Sequence, residues 1–317
     1  MPIVSILIRP YVSGQDDALW LDIQNRALDE YPEYTPENAA DFELHKQGPW
    51  FDAAGMMIAE LDGGPAGCTD AYIDRKADEE HGYLEGPWVL PEFRRRGVGS
   101  GLARSAFASL KDRGKTRVQL WHRDIPANVA FAQRLGFRCV RIFQSMSHDL
   151  KSVPRSVGEH RDAAIVEMPA DDATIELECR LWNESFREHF NYRPMTTAET
   201  GYMYRTARER NEWLFTLVAQ LEGQPVGFLV GGSDPAEVRR RSRDIGSLYI
   251  LGVLEAYRNR GIAKALLISG LERLKDRGMA EAELGVDTEN VTGALHLYEL
   301  LGFKTTRRRL TQMRELT

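Results

Sequence analysis

The stretch Trp88-Val89-Leu90-Pro91-Glu92-Phe93-Arg94-Arg95-Arg96-Gly97-Val98-Gly99 reads as an apolar strand running into a short, glycine-containing turn. An amphipathic helix follows, with Val98, Leu102, Ala106 and Leu110 at i, i+4 spacing, and it ends at Leu110-Lys111-Asp112-Arg113-Gly114. The same unit is written again at Val253–Gly278. There the turn is Arg258-Asn259-Arg260-Gly261-Ile262-Ala263 and the ending Leu274-Lys275-Asp276-Arg277-Gly278. The offsets agree at both ends, 258 − 94 = 164 and 278 − 114 = 164, so the copies align without a gap and the chain is an internal duplication.

The chemistry of such a turn follows from its backbone. The first turn of a helix carries unpaired N–H groups and the positive end of the helix dipole, and small residues let a pyrophosphate approach them. Arg94, Arg95 and Arg96 in the first copy, and Arg258 and Arg260 in the second, add positive charge at the rim. Two other phosphate motifs are absent. The chain has neither Gly-x4-Gly-Lys-Ser/Thr nor Gly-x-Gly-x-x-Gly with an acid about 20 residues on.

The chain has 317 residues, comfortable for two domains of about 150 residues each. It is 43% hydrophobic and 28% charged, enough apolar mass for two cores. A net charge of −6 argues against nucleic-acid or anionic-membrane binding. Cys68, Cys139 and Cys179 are odd in number and widely spaced, so neither a disulfide framework nor a metal site is expected. Met1–Pro10 alternates apolar residues and reaches Arg9 quickly, which reads as a first strand and not a signal peptide. No apolar run approaches the roughly 20 residues of a membrane span. The expected setting is the reducing cytoplasm.

Around the two turns the same order of elements recurs. In the first half, strands are expected at Ile3–Ile8, Met56–Leu61, Ala66–Ile73, Leu84–Leu90, Val118–His122 and Phe137–Leu150, with a hairpin at Asp62-Gly63-Gly64-Pro65. Helices are expected at Asp16–Asp29, from Pro36 (with Thr35 as N-cap) to about Gln47, after Gly97, and at Asn128–Leu135. The second half repeats this with strands Ala164–Met168, Leu214–Leu221, Pro225–Val230, Ser247–Leu254, Ala282–Val286 and Phe303–Leu316. Its helices are Ala173–Phe190, Thr196–Glu209, Ile262 onward and Thr292–Leu301. Asp234–Arg243 reads as a charged loop, and the polar segment Lys151–Asp162 as the linker between domains 1–152 and 160–317. The fold class is α/β of the mixed α+β kind: each half a mixed, mostly antiparallel sheet flanked by helices, with a central parallel β-α-β unit.

With the turn Arg-x-x-Gly-x-Gly/Ala, the preceding strand and hairpin, and the terminal helix ending in Leu-Gly-Phe (Leu135–Phe137; Leu301–Phe303), both halves resemble the GNAT superfamily of acyl-CoA-dependent N-acetyltransferases. The tandem layout is similar to that of mycothiol synthase and related double-GNAT proteins, as is the stretch Trp182-Asn183-Glu184-Ser185-Phe186, His189, Arg193-Pro194-Met195-Thr196. The resemblance implies acetyl-CoA, or another short acyl-CoA, as co-substrate and no metal. Its pyrophosphate is expected on the amides of about Arg95–Ser100 (Arg95, Arg96, Gly97, Val98, Gly99, Ser100) or Asn259–Lys264 (Asn259, Arg260, Gly261, Ile262, Ala263, Lys264), with Arg94 and Arg258 beside them among the cofactor-binding residues. Its pantetheine arm is expected along Val89 and Leu90, or Val253 and Leu254.

Acetyl transfer needs a neutral amine, a polarised thioester oxygen and a proton for the departing thiolate. In the family the tyrosine four before the glycine of Leu-Gly-Phe donates that proton, which makes Tyr298 the acid; Asn290 fits a pantetheine contact. Counting four back from Gly136 in the first copy gives Ala132, so the first domain is read as a binding or structural half and the second as catalytic. Where mycothiol synthases carry a glutamate on the strand before the second turn, this chain has Ser247. The nearest carboxylate by sequence is Glu255, and a water relay would need no dedicated base. Trp121-His122 can line a pocket in the first copy, and His189 can face the acceptor cleft. The expected acceptor is a small-molecule amine, with no nucleic-acid or membrane partner, and the oligomeric state is open between monomer and dimer. The rival readings are a non-catalytic acyl-CoA-binding or regulatory protein and a protein or peptide N-acetyltransferase.

Overall fold

The computed structural model describes residues 5–74, 80–153, 163–290 and 292–316. The start of the expected first strand, part of the charged loop after Ile73 and most of the expected linker lie outside the described residues. The elements of the first half are β1 (Ile6–Pro10), α1 (Asp17–Leu28), α2 (Ala39–Lys46), β2 (Met56–Leu61), β3 (Gly64–Asp70), β4 (His81–Val89), α3 (Val98–Asp112), β5 (Arg117–Arg123), α4 (Pro126–Arg134) and β6 (Arg138–Asp149). The second half runs β7 (Ala163–Met168), α5 (Asp172–Ser185), α6 (Thr197–Glu209), β8 (Trp213–Leu221), β9 (Gln224–Ser233), α7 (Pro235–Arg241), β10 (Ile245–Val253), α8 (Ile262–Asp276), β11 (Glu281–Asp287), α9 (Ala294–Leu300) and β12 (Lys304–Glu315). Both halves show the expected order, with α7 added.

Three boundaries differ from the sequence reading for local reasons. Helix α2 starts later than Pro36 because Asn38 is its N-cap: its Oδ1 accepts from the N–H groups of Ala40 and Asp41. Asp234–Arg243 is a helix and not a loop, since Asp234 caps it and Pro235 occupies the first helical position. Helix α9 starts at Ala294, behind Gly293 in the left-handed region.

The chain forms two compact units, Met1–Ile142 with Arg309–Thr317, and Phe143–Arg308. They cut across the division at 1–152 and 160–317 because each half hands over its last strand. Strand β5 of the N-terminal unit is closed by Arg309–Glu315 of β12, antiparallel, with Arg309 opposite Arg123 and Glu315 opposite Arg117. Strand β11 of the C-terminal unit is closed by Phe143–Asp149 of β6, with Asp149 opposite Glu281. Strand periodicity reveals that a strand exists but not which neighbour it takes.

Within each unit the sheet has the expected mixed order. The N-terminal unit runs β1-β2-β3-β4 antiparallel and then β4-β5 parallel, and the C-terminal unit runs β7-β8-β9-β10 antiparallel and then β10-β11 parallel. Helix α3 lays Leu102, Ala106 and Leu110 on the N-terminal sheet, and α8 lays Ile262, Leu266, Leu271 and Leu274 on the C-terminal one; all are buried. The helices lie close enough that a Cβ on Gly82 would stand 2.4 Å from Leu110 Cδ2, and one on Gly246 2.4 Å from Leu274 Cδ2. These glycines are again 164 apart (246 − 82). Burying each such leucine contributes about 1.5–3 kcal/mol.

Candidate functional site

Each turn between strand and long helix is built from two left-handed residues. Arg95 (φ 63°) and Gly97 (φ 90°) form it in the N-terminal unit, and Asn259 (φ 61°) and Gly261 (φ 78°) in the C-terminal unit. Glycine takes this conformation freely, whereas Arg95 and Asn259 each hold it at a cost of about 1–2 kcal/mol. Successive N–H groups in such a turn converge into an anion-binding concavity. The first helical hydrogen bonds run from Gly101 N to Gly97 O, 2.9 Å, and from Ala265 N to Gly261 O, 3.0 Å. The N–H groups ahead of them, at Val98–Ser100 and Ile262–Lys264, therefore have no intrahelical acceptor.

Next to each turn the parallel strands part. The β4-β5 ladder runs from His81↔Arg117 to Leu84↔Leu120, after which β4 pairs with β3 alone, Glu85 opposite Asp70 and Trp88 opposite Cys68. Three steps along β4 match two along β3, so β4 carries one extra residue at Gly86-Pro87, and a bulge bends a strand away from its partner. In the C-terminal unit β10 pairs with β11 from Ile245↔Glu281 to Leu248↔Leu284, and the extra residue is Tyr249. The opening in the N-terminal unit is a cleft of about 1220 Å³ that reaches the glycine turn at Arg95, Gly97, Gly99 and Ser100. This size is ample for a small-molecule cofactor.

The sequence candidates divide by what their side chains touch. Arg94 and Arg258 are clamps. Arg94 donates through Nε to Val89 O, 3.1 Å, and through Nη2 to Ala27 O, 3.0 Å, and it pairs with Glu30. Arg258 makes the same bonds to Val253 O, 3.3 Å, and Ser185 O, 2.9 Å, and pairs with Glu188. Their positive charge is shared with carboxylates and serves first to tie the turn to the end of the first helix. Arg96 pairs with Asp62 at 3.0 Å, and Arg260 stacks over Tyr257. Arg95 is exposed and lines the cleft. Val89 also lines the cleft, whereas Leu90 is buried in the core and its N–H bonds Ala66 O; Leu254, partly buried against the core of its own unit, has its N–H on Val226 O.

Tyr298 lies on α9 at 7% exposure, its ring 5.9 Å from that of Phe303, and burial pushes its pKa up to about 12. Its counterpart is fixed by the helix ends. Phe303 N bonds Tyr298 O at 3.0 Å, and Phe137 N bonds Ala132 O at 3.1 Å, so Ala132 stands at that place and Phe131 faces the cleft beside it. Asn290 turns its Oδ1 back on Thr292 N, 2.9 Å, and Thr292 Oγ1. Glu255 is exposed in the single helical turn after β10, where its carbonyl accepts from Arg258 N. Trp121 and His122 do line the N-terminal cleft. His189 packs edge-on against Phe186, and its pKa is lowered by burial, with Asp287 and Arg258 the nearest charges on it along with Glu188. Among the described residues no group of three or more His, Cys, Asp and Glu is placed to hold a metal ion, and no described helix is long and apolar enough to cross a membrane.

Two residues escaped the sequence reading. Glu85, paired with Asp70 beside the first bulge, and Tyr249, in the second, are 164 apart (249 − 85), so the repeat offset was the signal that could have found them. Burial raises the pKa of both, and for Tyr249 the charges of Glu212, Glu237 and Asp234 add to it.

Comparison with known proteins follows the same duplication. A mycothiol acetyltransferase of Streptomyces coelicolor is 32% identical over 133 residues, 42% of this chain and 42% of that protein. A mycothiol acetyltransferase of Salinispora tropica is 36% identical over 141 residues, 42% of this chain and 44% of that protein. The chain thus spans under half the length of these curated relatives. Among solved structures, a tandem GNAT protein from the clavulanic acid biosynthesis pathway aligns over 99% of both chains with TM-score 0.74 at 15% identity. A GCN5-related N-acetyltransferase from Sphaerobacter thermophilus covers 98% of this chain and 96% of its own, with TM-score 0.68 at 23% identity. These likenesses show the fold, two GNAT domains in tandem. Residues 20–137 and 175–303 each match the sequence model of the Acetyltransferase (GNAT) family, and the chain therefore belongs to that family.

Proposed function

We propose that this chain transfers an acetyl group from acetyl-CoA to the primary amine of a small molecule, and that the C-terminal unit does so. The observation that carries this reading is the phenol of Tyr298 at the end of α9, where the equivalent helix end of the N-terminal unit has Ala132. With its pKa pushed up to about 12 by burial, the phenol stays protonated at neutral pH and is a donor for a leaving thiolate. The corresponding position in the N-terminal unit, Ala132, has no proton to give.

Acetyl-CoA supplies the thioester, and the residues present fit it. Amides of Ile262, Ala263 and Lys264 and the concavity at Asn259–Gly261 hold negative charge without a metal. The edge of β10 that faces away from β9 beyond Leu248 offers backbone groups to an extended arm and to a carbonyl oxygen. Water or Glu255 takes the proton from the amine. The small-molecule acceptor is supported by relatives whose names give mycothiol acetylation.

The test is thiol release from acetyl-CoA across a library of primary amines. Tyr298→Phe is expected to lower kcat by about 10²–10⁴-fold with little change in acetyl-CoA binding. Full turnover in that variant refutes the assignment of the acid.

A further inference from the structure

A second cavity of the N-terminal unit, of about 500 Å³, gathers positive charge. Arg104 and Lys111 reach it from the exposed side of α3, opposite the buried Leu102, Ala106 and Leu110, with Phe107 between them at the cavity floor. Arg134 comes from the end of α4 and Arg314 from β12. Four cations thus line the cavity, and among the described residues no carboxylate does. The whole chain carries a net charge of −6, so this concentration is local. Two features separate it from an ordinary solvated face. Arg314 is held in place, because it donates to Leu135 O at 2.6 Å and its guanidinium lies 4.5 Å from the ring centre of Phe107. Arg104, Lys111 and Arg134 make no side-chain hydrogen bond or ion pair among the described residues, whereas Arg94, Arg96 and Arg123 of the same unit each pair with a carboxylate. Like charges held together without a counter-ion repel one another, and an anion between them relieves that repulsion.

We propose that this cavity binds a compact phosphate polyanion, two or three phosphates linked in a chain, either free or as the tail of a nucleotide. The span of the cations sets the length. Arg104 and Lys111 are two helical turns apart, about 10 Å along the axis, which is more than a single phosphate bridges and within reach of a short chain. The guanidinium forks bond phosphate oxygens in pairs, and the ammonium of Lys111 adds a point charge with no preferred plane. Arg314 is already ordered by Leu135 and Phe107, so it gives up little freedom on binding, while the three unpaired side chains close over the ligand. The volume falls in the range of small-molecule sites. The site is separate from the cleft at Gly97, since of the four cations only Arg134 lines both. It does not depend on the acyl-transfer reading.

The experiment is isothermal titration of the full chain with inorganic triphosphate, in metal-free buffer at fixed ionic strength. Saturable binding is expected, tighter than that of citrate or hexaglutamate under the same conditions. Arg104→Ala and Lys111→Ala together, both exposed and outside the core, are expected to weaken the tightest triphosphate site about tenfold and to leave acetyl-CoA binding unchanged. Titration with ATP tells the two sources apart. Affinity above that of inorganic triphosphate assigns the chain of phosphates to a nucleotide, equal affinity assigns it to phosphates alone, and both uphold the site. Absence of saturable binding overturns the proposal, as does citrate or hexaglutamate binding as tightly as triphosphate. Triphosphate binding that the double variant leaves intact overturns it too. An equal loss of acetyl-CoA affinity in that variant does the same, because the cavity would then be an extension of the cofactor cleft.

Discussion

Arg94 and Arg258 open the two glycine turns, and the guanidinium of each bonds backbone carbonyls of its own unit. A charge quoted from sequence is thus not a charge available to a ligand, and under the proposed function the backbone amides behind it would hold the anion. Single residues elsewhere show the same commitment. Glu199 closes a capping box with Thr196 and pairs with Arg193 at 2.9 Å. Burial alone would raise its pKa, but the Thr196 side-chain and backbone hydrogen bonds and Arg193 outweigh that and bring it to about 2. A folded pKa below the unfolded one adds stability at neutral pH that is lost as pH falls from about 4.5 toward about 2. Glu199→Gln is therefore expected to cost on the order of 3 kcal/mol near pH 7 and to converge with the unsubstituted chain near pH 2, as read by urea midpoints across that range.

At the scale of elements, the unit that repeats is strand, left-handed turn and long helix, and its glycines separate two roles. Gly261 and Gly97 both need positive φ, so a larger residue strains either turn by about 1–2 kcal/mol, and a carboxylate there also repels phosphate. Gly261→Glu is expected to abolish turnover of the amine accepted by the C-terminal unit, and Gly97→Glu to leave that turnover largely intact. The check is kcat/KM for that amine in both variants, and the reverse pattern would move the main chemistry to the N-terminal unit. These turns were legible because they combine local signals: apolar spacing, glycine position and basic helix ends. Helix α7 was misread as a loop although Asp234-Pro235 is a cap followed by a first-position proline, because a seven-residue helix is too short for apolar periodicity to show. The bulges at Gly86-Pro87 and Tyr249 were missed for a related reason. A bulge is defined against the neighbouring strand, and a single strand holds no record of its partner.

Over the whole molecule the exchange of closing strands decides where a domain can be cut. Residues Arg309–Glu315 complete the N-terminal sheet, burying Leu310, Thr311 and Gln312, and Arg314 bonds Leu135 O at 2.6 Å and stacks on Phe107. A chain ended at Arg308 is expected to lose at least the roughly 1.5–3 kcal/mol of Leu310 burial plus a strand ladder, out of a domain stability of about 5–15 kcal/mol. Hydrogen exchange is expected to show lost protection in β5 and α3, with α8 and β9 protected as before. Equal loss in both units would count against the exchange. Duplication, class of fold and the two glycine turns between strand and long helix were legible in the sequence itself, because each rests on short-range spacing along the chain. Which strand closes which sheet, which arginines are already paired, and that Glu85 lines a cleft were decided only by tertiary structure. Those depend on pairing, charge and burial between segments far apart in the chain, where no local pattern is written.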